Sequence, residues 1–214
     1  MYIAIEGVIG VGKTTLARIL QPVFDSKLLL EIFEENPFLS DFYTDRKRYA
    51  FQTQIFFLLS RYQQQYKVVP QAISKGNLIS DYTFEKDSLF ARLNLEGDEL
   101  ATYTLVHKAL AERIPVPDLV VYLKVDTDIA LQRIAMRDRS YERLIERSYI
   151  DDLNQAYEAY FSDQKTYPIL KIDTNSLNYV TQNKHLEHVT KRIRASLGIP
   201  PFQPELPLSG GQSL

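Results

Sequence analysis

Residues 1–20 read MYIAIEGVIGVGKTTLARIL, and this stretch decides the fold. The apolar run at residues 2–5 predicts a buried strand. Residues 7–14, GVIGVGKT, then match the pattern G-x-x-x-x-G-K-[ST] at every fixed position. Apolar side chains follow at helical spacing: Leu16, Ala17 and Leu20. A strand, a glycine-rich loop and a helix in this order are the context in which that pattern forms a phosphate-binding P-loop.

The physical chemistry of this loop predicts its ligand. Glycines allow the backbone to turn its N–H groups toward phosphate oxygens, and the helix that follows adds its positive N-terminal end. Lys13 is expected to reach the β- and γ-phosphates, and the Thr14 hydroxyl to hold Mg²⁺. We therefore predict that ATP and Mg²⁺ bind here, with these residues in contact with the nucleotide: Gly7, Val8, Ile9, Gly10, Val11, Gly12, Lys13, Thr14 and Thr15.

Composition restricts the class of protein. The 214 residues are 45% hydrophobic and 24% charged, as expected for a globular chain with a full core. The net charge of −2 supplies no general attraction for nucleic acid, and the lack of cysteine excludes disulfides and thiolate metal sites. No apolar run approaches the roughly 18 residues of a membrane span. We expect a cytoplasmic protein without a membrane or nucleic-acid partner.

Predicted strands and helices alternate along the chain. Strands are predicted at residues 2–5, 27–33, 77–81, 119–125 and 169–173, and helices at 38–49, 51–69, 83–95, 99–113, 127–137, 149–167 and 179–197. Such alternation favours a parallel sheet covered on both faces, in which ligands bind beyond the carboxyl ends of the strands. We predict an α/β, three-layer P-loop NTPase fold in a single domain at residues 1–198, followed by a loose tail at 199–214.

Two carboxylates follow predicted strands at that edge of the sheet. Asp81 follows the apolar Leu78-Ile79 at the end of a predicted strand and suits coordination of Mg²⁺. Glu31 lies near the end of the second predicted strand, where a carboxylate could accept the proton of an attacking hydroxyl. Glu34 and Glu35 are close in sequence and remain alternatives for that role.

A cluster of arginines follows the fourth predicted strand. Its members are Arg133, Arg137, Arg139, Arg143 and Arg147. Phosphoryl transfer spreads negative charge over the transferred group, and guanidinium groups stabilise that charge. We predict a lid at about residues 133–147 that excludes water, with Arg133, Arg137 and Arg139 as catalytic residues. The alternative is a solvated charged helix balanced by neighbouring acids.

Together these segments resemble the deoxyribonucleoside kinases, in their bacterial deoxyadenosine/deoxyguanosine kinase branch, over about residues 1–173. Glu31-Ile32-Phe33 is similar to the family's Glu-Pro-Val motif, whose glutamate takes the proton of the sugar 5′-OH. Residues 51–61 are similar to the helix that supplies a base-binding glutamine and an arginine, here Gln54 and Arg61. The same resemblance places Tyr43 on the sugar 3′-OH.

Two further motifs carry the resemblance. Asp81-Tyr82-Thr83 is similar to the family's acidic-Arg-Ser motif, and Asp87 corresponds to the base-contacting aspartate that follows it. The spacing from Arg133 to Glu142 is similar to the family's lid, whose glutamate also meets the 3′-OH. Tyr82 stands where family members often have an arginine that helps to hold the base glutamate, so we expect another lid arginine to compensate. Ile32 replaces the usual proline.

The resemblance implies an activity and an assembly. The activity is ATP-dependent phosphorylation of a deoxyribonucleoside 5′-OH in nucleotide salvage, by a five-stranded P-loop kinase that forms homodimers through helices such as 51–69 or 99–113. We predict deoxyadenosine as the preferred substrate and deoxyguanosine or deoxycytidine as secondary ones. Asp87 can accept a hydrogen bond from an exocyclic amino group, whereas thymine would present a carbonyl there.

Three other functions remain open from the sequence. A nucleoside monophosphate kinase of the thymidylate-kinase type would share the P-loop and the lid, but would want extra arginines near residues 31–61. A GTP-binding switch needs an Asp-x-x-Gly segment, and none of the eight glycines is preceded by Asp at that spacing. A regulator that only binds nucleotide would have no need of Lys13, Glu31 and the lid arginines together.

Overall fold

A computed structural model describes residues 1–33 and 35–200 of the chain. Five strands form one parallel sheet in the order β2-β3-β1-β4-β5. The strands are β1 Tyr2–Glu6, β2 Ser26–Leu29, β3 Asn77–Ser80, β4 Leu119–Lys124 and β5 Ile169–Asp173. The predicted five-stranded parallel sheet is therefore confirmed.

The helices of the described residues cover both faces of this sheet. They are α1 Lys13–Val23, α2 Leu39–Thr44, α3 Arg46–Ile73, α4 Lys86–Asn94, α5 Gly97–Ala111, α6 Thr127–Arg137, α7 Arg147–Asp163 and α8 Asn183–Ser196, with a short 3₁₀ helix at Ser140–Leu144. Because helices cover both faces, all five residues of β1 are buried. Within the described part of the chain, no helix is long and apolar enough to cross a membrane.

The central strand places the P-loop where the sheet changes winding direction. β1 pairs with β3 on one side and with β4 on the other. The loop that follows β1 therefore opens at a crevice between the two halves of the sheet, which is where open α/β sheets bind ligands. Helix α1 begins at Lys13, directly after this loop, and points its N-terminus into the crevice.

The second strand is shorter than predicted. β2 ends at Leu29, so Glu31 lies in a loop and not at a strand end. The loop is held by Asp81, whose Oδ1 accepts a hydrogen bond from the Glu31 N–H at 2.8 Å. This side-chain hydrogen bond satisfies the backbone N–H of Glu31, the candidate proton acceptor, in place of a bond between paired strands.

Several predicted helix limits also differ. Asp45 divides the helix predicted at 38–49 and caps α3 by accepting from the Arg48 N–H at 3.2 Å. Helix α3 continues through Pro70, which lies inside its C-terminal part and not at its end. Helices α7 and α8 are shorter than predicted, at Arg147–Asp163 and Asn183–Ser196.

Helix α4 starts later than predicted, at Lys86 and not at Thr83. Glu6 is the reason, because its fully buried carboxylate accepts from the Thr83 N–H at 2.5 Å and from the Thr83 hydroxyl at 2.9 Å. Tyr157 donates to the same carboxylate at 3.1 Å. These bonds tie residues after β3 to the end of β1, and α4 can begin only beyond them.

The C-terminal boundary is described only in part. Ile199 N–H donates to the Arg194 carbonyl at 2.9 Å, and the Arg194 side chain donates to the Pro200 carbonyl at 2.9 Å. Residues 199 and 200, predicted to start the loose tail, are therefore attached to the end of α8. Residues 201–214 of that predicted tail lie outside the described residues.

Candidate active site

The P-loop curls around the side chain of its lysine. Gly10 and Gly12 have φ values of 86° and 103°, which L-residues with side chains rarely adopt. A Cβ at Gly10 would also lie 2.6 Å from the Ala130 carbonyl oxygen. Lys13 Nζ donates to the carbonyls of Gly7 at 2.8 Å and Val8 at 3.2 Å. The loop thus holds a cation at its centre.

Burial and charge act on this lysine together. Burial, and next the nearby Lys86 ammonium, lower the pKa of Lys13 from its usual 10.5 to about 8. The positive charge is therefore poorly compensated by the protein alone. Phosphate oxygens in the loop would supply the missing negative charge.

Thr14 and Asp81 form an oxygen pair beside this lysine. The Thr14 hydroxyl donates to Asp81 Oδ2, while Asp81 Oδ1 accepts from the Glu31 N–H. A hydroxyl and a carboxylate are hard oxygen ligands of the kind that Mg²⁺ prefers. Within residues 1–33 and 35–200, no group of three or more His, Cys, Asp or Glu could hold a metal ion. The pair fits a Mg²⁺ that takes its other ligands from nucleotide phosphates and water.

Glu31 lies between two cations. Arg61 donates to Glu31 Oε1 through Nε at 3.1 Å and through a terminal nitrogen, and Lys86 Nζ donates to Oε2 at 2.5 Å. All three side chains are largely buried, with 13%, 5% and 7% of Glu31, Arg61 and Lys86 exposed. Burial alone would raise the pKa of Glu31, but the two cations outweigh it and hold that pKa well below its usual range. The carboxylate is therefore ionised.

Arg61 also pairs with Asp87. Its terminal nitrogen forms an ion pair with Asp87 Oδ1, and Asp87 is fully buried. The Arg61 guanidinium lies over the Phe57 ring, 4.4 Å from its centroid. One guanidinium thus links Glu31 to Asp87. The contact between Arg61 and Glu31 was not predicted from the sequence.

Glu31 faces a cavity with an aromatic wall, which we call the aromatic cavity. Its lining includes Lys13, Thr14, Glu31, Phe33, Tyr43, Gln54, Phe57, Arg61, Asp81, Lys86, Phe90, Arg137, Arg139, Tyr141 and Glu142. Tyr43 and Tyr141 stack in this wall with rings 6.3 Å apart. Gln54 lines this cavity, and its buried Oε1 has no hydrogen-bond partner among the described residues, which indicates that a polar ligand completes the cavity. Asp87 Oδ2 is also buried without a hydrogen-bond partner in the described part of the chain, but the structure does not place Asp87 in the cavity lining.

The predicted lid arginines divide into three groups. Arg137 makes a bidentate contact with Glu142, at 2.6 and 2.7 Å from one nitrogen, and Arg139 lies 3.6 Å from the same carboxylate. Glu142 is only 6% exposed, so these pairs fix a buried acid at the aromatic cavity. The exposed Arg143 and Arg147 pair with surface aspartates, as the solvated-helix alternative proposes.

Arg133 has different partners from its helical neighbour Arg137. Its guanidinium donates to the Val11 carbonyl at 3.1 Å and to the Thr174 carbonyl at 2.8 Å. These contacts tie α6 to the P-loop and to the segment after β5. Arg133 also donates to the Thr174 hydroxyl at 3.2 Å and lines a cleft beside the P-loop, so its predicted catalytic role stays a prediction.

A second opening, the P-loop cleft, lies on the other side of the loop. Gly10, Val11, Gly12, Lys13, Thr14, Thr15, Arg133, Met136, Arg137 and residues 177–181 line it. The Tyr179 hydroxyl lies 3.4 Å from the Gly12 carbonyl oxygen. Met136 and Val180 are 78% and 65% exposed at its edge. Residues 177–181 were not predicted to line a site, because residues 179–182 were predicted to be the start of the last helix.

Lys86 is the main residue of the aromatic cavity that sequence analysis missed. A lid arginine was expected to compensate for Tyr82, but the structure places Lys86 on Glu31 instead. Tyr82 is fully buried, and its hydroxyl donates to Gln64 at 2.7 Å. Further along the chain from Glu31, the Asn36 side chain donates to the Thr53 carbonyl at 3.2 Å and ties its segment to α3. Glu35 is exposed, and Glu34 lies outside the described residues.

Comparison with known proteins identifies the family. The model of the deoxynucleoside kinase family matches residues 3–197. A deoxyguanosine kinase of Bacillus subtilis is 34% identical over 198 residues, which cover 90% of this chain and 96% of that protein. A deoxyadenosine kinase of Dictyostelium discoideum is 34% identical over 210 residues, covering 94% of this chain and 84% of that protein. The chain therefore belongs to the deoxynucleoside kinase family, whose members phosphorylate deoxynucleosides.

The comparison of structures agrees with this assignment. The deoxyadenosine kinase of M. mycoides with dCMP and a flexible dCDP bound superposes with a TM-score of 0.80 at 29% identity, covering 91% of this chain and 100% of that chain. The same enzyme with dATP bound gives a TM-score of 0.78. The fold and the family that the sequence motifs indicate are thus both confirmed.

Proposed function

We propose that this enzyme transfers the γ-phosphoryl group of ATP to the 5′-hydroxyl of a deoxyribonucleoside in nucleotide salvage, with deoxyadenosine preferred and deoxyguanosine or deoxycytidine secondary. The observation that carries the proposal is one cavity lined by both an ionised, buried Glu31 and the P-loop residues Lys13 and Thr14. A proton acceptor and a phosphate-binding loop at one cavity are what phosphoryl transfer to a hydroxyl requires.

The donor is assigned to the P-loop cleft. The loop N–H groups and Lys13 bind the phosphates, and Met136 and Val180 offer exposed apolar surface to a nucleobase. Thr14 and Asp81 would hold Mg²⁺, which when bound neutralises charge on the β- and γ-phosphates. A nucleotide-bound relative, the M. mycoides deoxyadenosine kinase with dATP, supports an adenine nucleotide as the ligand.

The acceptor hydroxyl is assigned to Glu31. As the bond from O5′ to the γ-phosphorus forms, the bond from that phosphorus to the β,γ-bridging oxygen breaks, ADP leaves, and the hydroxyl proton passes to Glu31. A carboxylate with so low a pKa is a weak base. Its contribution is therefore mainly to orient the hydroxyl and to accept the proton late, which suits a loose transition state that asks little covalent help from the protein.

Arg137 and Arg139 are assigned the task of stabilising the negative charge on the transferred phosphoryl group. Both line the aromatic cavity next to Lys13, and Arg137 is 37% exposed, so its guanidinium is accessible from the P-loop side. Preorganised guanidinium groups lower the cost of charge that develops in the transition state. Arg133 stays a predicted catalytic residue, and it also holds the P-loop carbonyl of Val11.

The sugar and the base are assigned to the aromatic wall. Tyr43 and Glu142 line the cavity and supply a donor and an acceptor for the 3′-OH. Gln54 Oε1 and Asp87 Oδ2 are unsatisfied acceptors among the described residues, and adenine offers an exocyclic amino group with two protons. Arg61 orients Asp87 through its ion pair. These features support deoxyadenosine over thymidine.

The charges of the cavity disfavour a nucleoside monophosphate acceptor. Arg61 and Lys86 are both paired with carboxylates, and Glu31, Asp87 and Glu142 would repel a second phosphate. We therefore propose a nucleoside as the acceptor and not a nucleoside monophosphate, as in a kinase of the thymidylate-kinase type.

We also propose that the enzyme is one domain at residues 1–198 that works in the cytoplasm as a homodimer. Leu59 and Tyr66 on α3 and Leu105 on α5 are 48%, 46% and 72% exposed, and these helices are in contact. Burial of such side chains against a second copy would remove apolar surface from water. Light scattering coupled to gel filtration checks this, with a monomer mass contradicting the homodimer.

One assay tests the proposed reaction. Purified enzyme is incubated with ATP, Mg²⁺ and each of the four deoxynucleosides or their 5′-monophosphates, and ADP release is followed by a coupled reaction. We expect turnover with deoxyadenosine, less with deoxyguanosine or deoxycytidine, and little with thymidine or any monophosphate. Turnover with monophosphates alone would overturn the proposal.

A further inference from the structure

The position after Asp81 supplies no cation to Glu31. Tyr82 occupies it, and the side chain is fully buried with its hydroxyl donating to Gln64 at 2.7 Å. Burial raises the pKa of Tyr82, so the phenol is neutral as well as turned toward α3. Glu31 must therefore be held from elsewhere.

Lys86 reaches Glu31 from the first turn of α4. Its Nζ lies 2.5 Å from Glu31 Oε2, and the side chain is only 7% exposed. The ammonium lies 5.5 Å from the centroid of the Phe90 ring, one turn further along the helix, so the aliphatic stem is packed and the charge is directed at the carboxylate. The late start of α4, imposed by the bonds between Glu6 and Thr83, is what brings residue 86 to this place.

The two cations on Glu31 use different oxygens. Arg61 occupies Oε1 and is shared with Asp87, whereas Lys86 occupies Oε2. With Arg61 as its one partner, the Glu31 carboxylate would still be able to rotate about the Cγ–Cδ bond. A second contact on the other oxygen fixes the plane of the carboxylate, and with it the direction of its lone pairs.

We propose that Lys86 is a positioning residue for the proton acceptor: it fixes the plane of the Glu31 carboxylate and replaces the cation that Tyr82 does not provide. This inference rests on the proposed function of Glu31. It assigns a defined task to a lysine on α4 that neither the P-loop nor the lid motif includes.

Other charged groups also lie near Glu31 and must stay unchanged when the effect of Lys86 is measured. Those that line the same cavity or contact Glu31 and its partners are Lys13 from α1, Tyr43 from α2, Arg61 from α3, Asp81 after β3, Asp87 from α4, and Arg137, Arg139 and Glu142 from the lid. Of these, Arg61 alone contacts the Glu31 carboxylate oxygens alongside Lys86 within the described chain. The effect of Lys86 is therefore measured with Arg61 unchanged in every variant.

The experiment compares Lys86→Met, which keeps the stem without the charge, with Lys86→Arg, which keeps the charge. Lys67→Met, at an exposed position of α3, is the matched control. For Lys86→Met we expect kcat with deoxyadenosine to fall on the order of 10²-fold, as for loss of one preorganised charged contact, with KM changed less than about 3-fold. Lys86→Arg should restore most of kcat, because it returns a cation to the same carboxylate oxygen.

A double variant separates positioning from general damage to the fold. In Lys86→Met/Glu31→Gln the carboxylate is absent, so removing the ammonium should cost less than about 3-fold beyond Glu31→Gln alone. A kcat of Lys86→Met within 3-fold of wild type, or losses that multiply in the double variant, would each overturn the inference. Melting temperatures show whether each variant is folded. If Lys86→Met is unstable, the double variant still serves as a test, because it contains no Glu31 carboxylate that loss of the ammonium would leave short of a partner. Lack of wild-type activity on any deoxynucleoside would instead reject the proposed function itself.

Discussion

The P-loop cleft and the aromatic cavity are built in different ways. The P-loop cleft has at its base one contiguous segment, residues 10–15, with a single lysine, and its sides come from α6 and residues 177–181. The aromatic cavity is formed by side chains from α2, α3, α4, the loop after β2 and the lid. The first depends on local conformation and the second on long-range ion pairs, so substitutions should affect them differently.

The largest effect is expected at the centre of the P-loop. Lys13→Ala removes the only side-chain charge of residues 7–15, and we expect kcat to fall by at least about 10³-fold, because no neighbouring side chain of the loop can replace it. Relief of a buried cation should leave the melting temperature unchanged or higher. Steady-state kinetics with thermal melting checks both, and near-normal activity would remove Lys13 from the phosphate site.

The next effect is expected at the boundary between the two regions. Glu31→Gln keeps the shape but cannot accept a proton or pair with two cations, so kcat should fall on the order of 10²-fold or more while deoxynucleoside still binds. Glu35→Gln, at an exposed neighbouring position, is the control and should change kcat little. If Glu31→Gln stays within a few-fold of wild type, Glu34 or Glu35 becomes the better candidate.

A smaller effect is expected for the sugar. A 2′,3′-dideoxynucleoside leaves the Tyr43 hydroxyl without its partner, whereas Glu142 keeps its ion pairs with Arg137 and Arg139. An unpaired buried group costs about 1–3 kcal/mol, or roughly 10- to 100-fold in kcat/KM. Tyr43→Phe should narrow the gap in kcat/KM between deoxy and dideoxy substrates, because the hydroxyl left unpaired is then absent. Equal kcat/KM for both kinds of substrate in the wild-type enzyme would contradict this assignment.

The smallest effect concerns the choice of base. Asp87→Asn exchanges an acceptor for a group that can also donate, so the preference for deoxyadenosine over thymidine should fall by about 10-fold. Measurement of kcat/KM for the four deoxynucleosides on both proteins decides this, with melting temperatures to show that the broken ion pair with Arg61 has not unfolded the variant. An unchanged order of substrates would leave Asp87 as a structural partner of Arg61 only.

The same contrast explains what the sequence could predict. The P-loop was predictable because its pattern is contiguous and its function follows from backbone geometry. The late start of α4 was not, because it depends on bonds from Thr83 to Glu6, which precedes it by 77 positions in the chain. Without that start, Lys86 is an ordinary lysine of a predicted helix.

The lid shows the limit of spacing as a guide. Arg133 and Arg137 are one helical turn apart and look equivalent in the sequence. Arg133 donates to the Thr174 carbonyl and Arg137 pairs with Glu142, so the two side chains have different partners. Which partner each finds depends on the end of β5 and on the 3₁₀ helix, and local periodicity carries no information about either.

The shared position of Arg61 has a consequence for how substrate range can evolve or be redesigned. Its guanidinium contacts both Glu31 and Asp87, so a mutation of Arg61 or Asp87 that alters base choice should also disturb Glu31, the proposed proton acceptor. Gln54 lines the same cavity, and its side-chain oxygen has no hydrogen-bond partner among the described residues. Adaptive routes to a new nucleobase therefore pass most easily through position 54, where a first mutation leaves the chemistry of the hydroxyl intact.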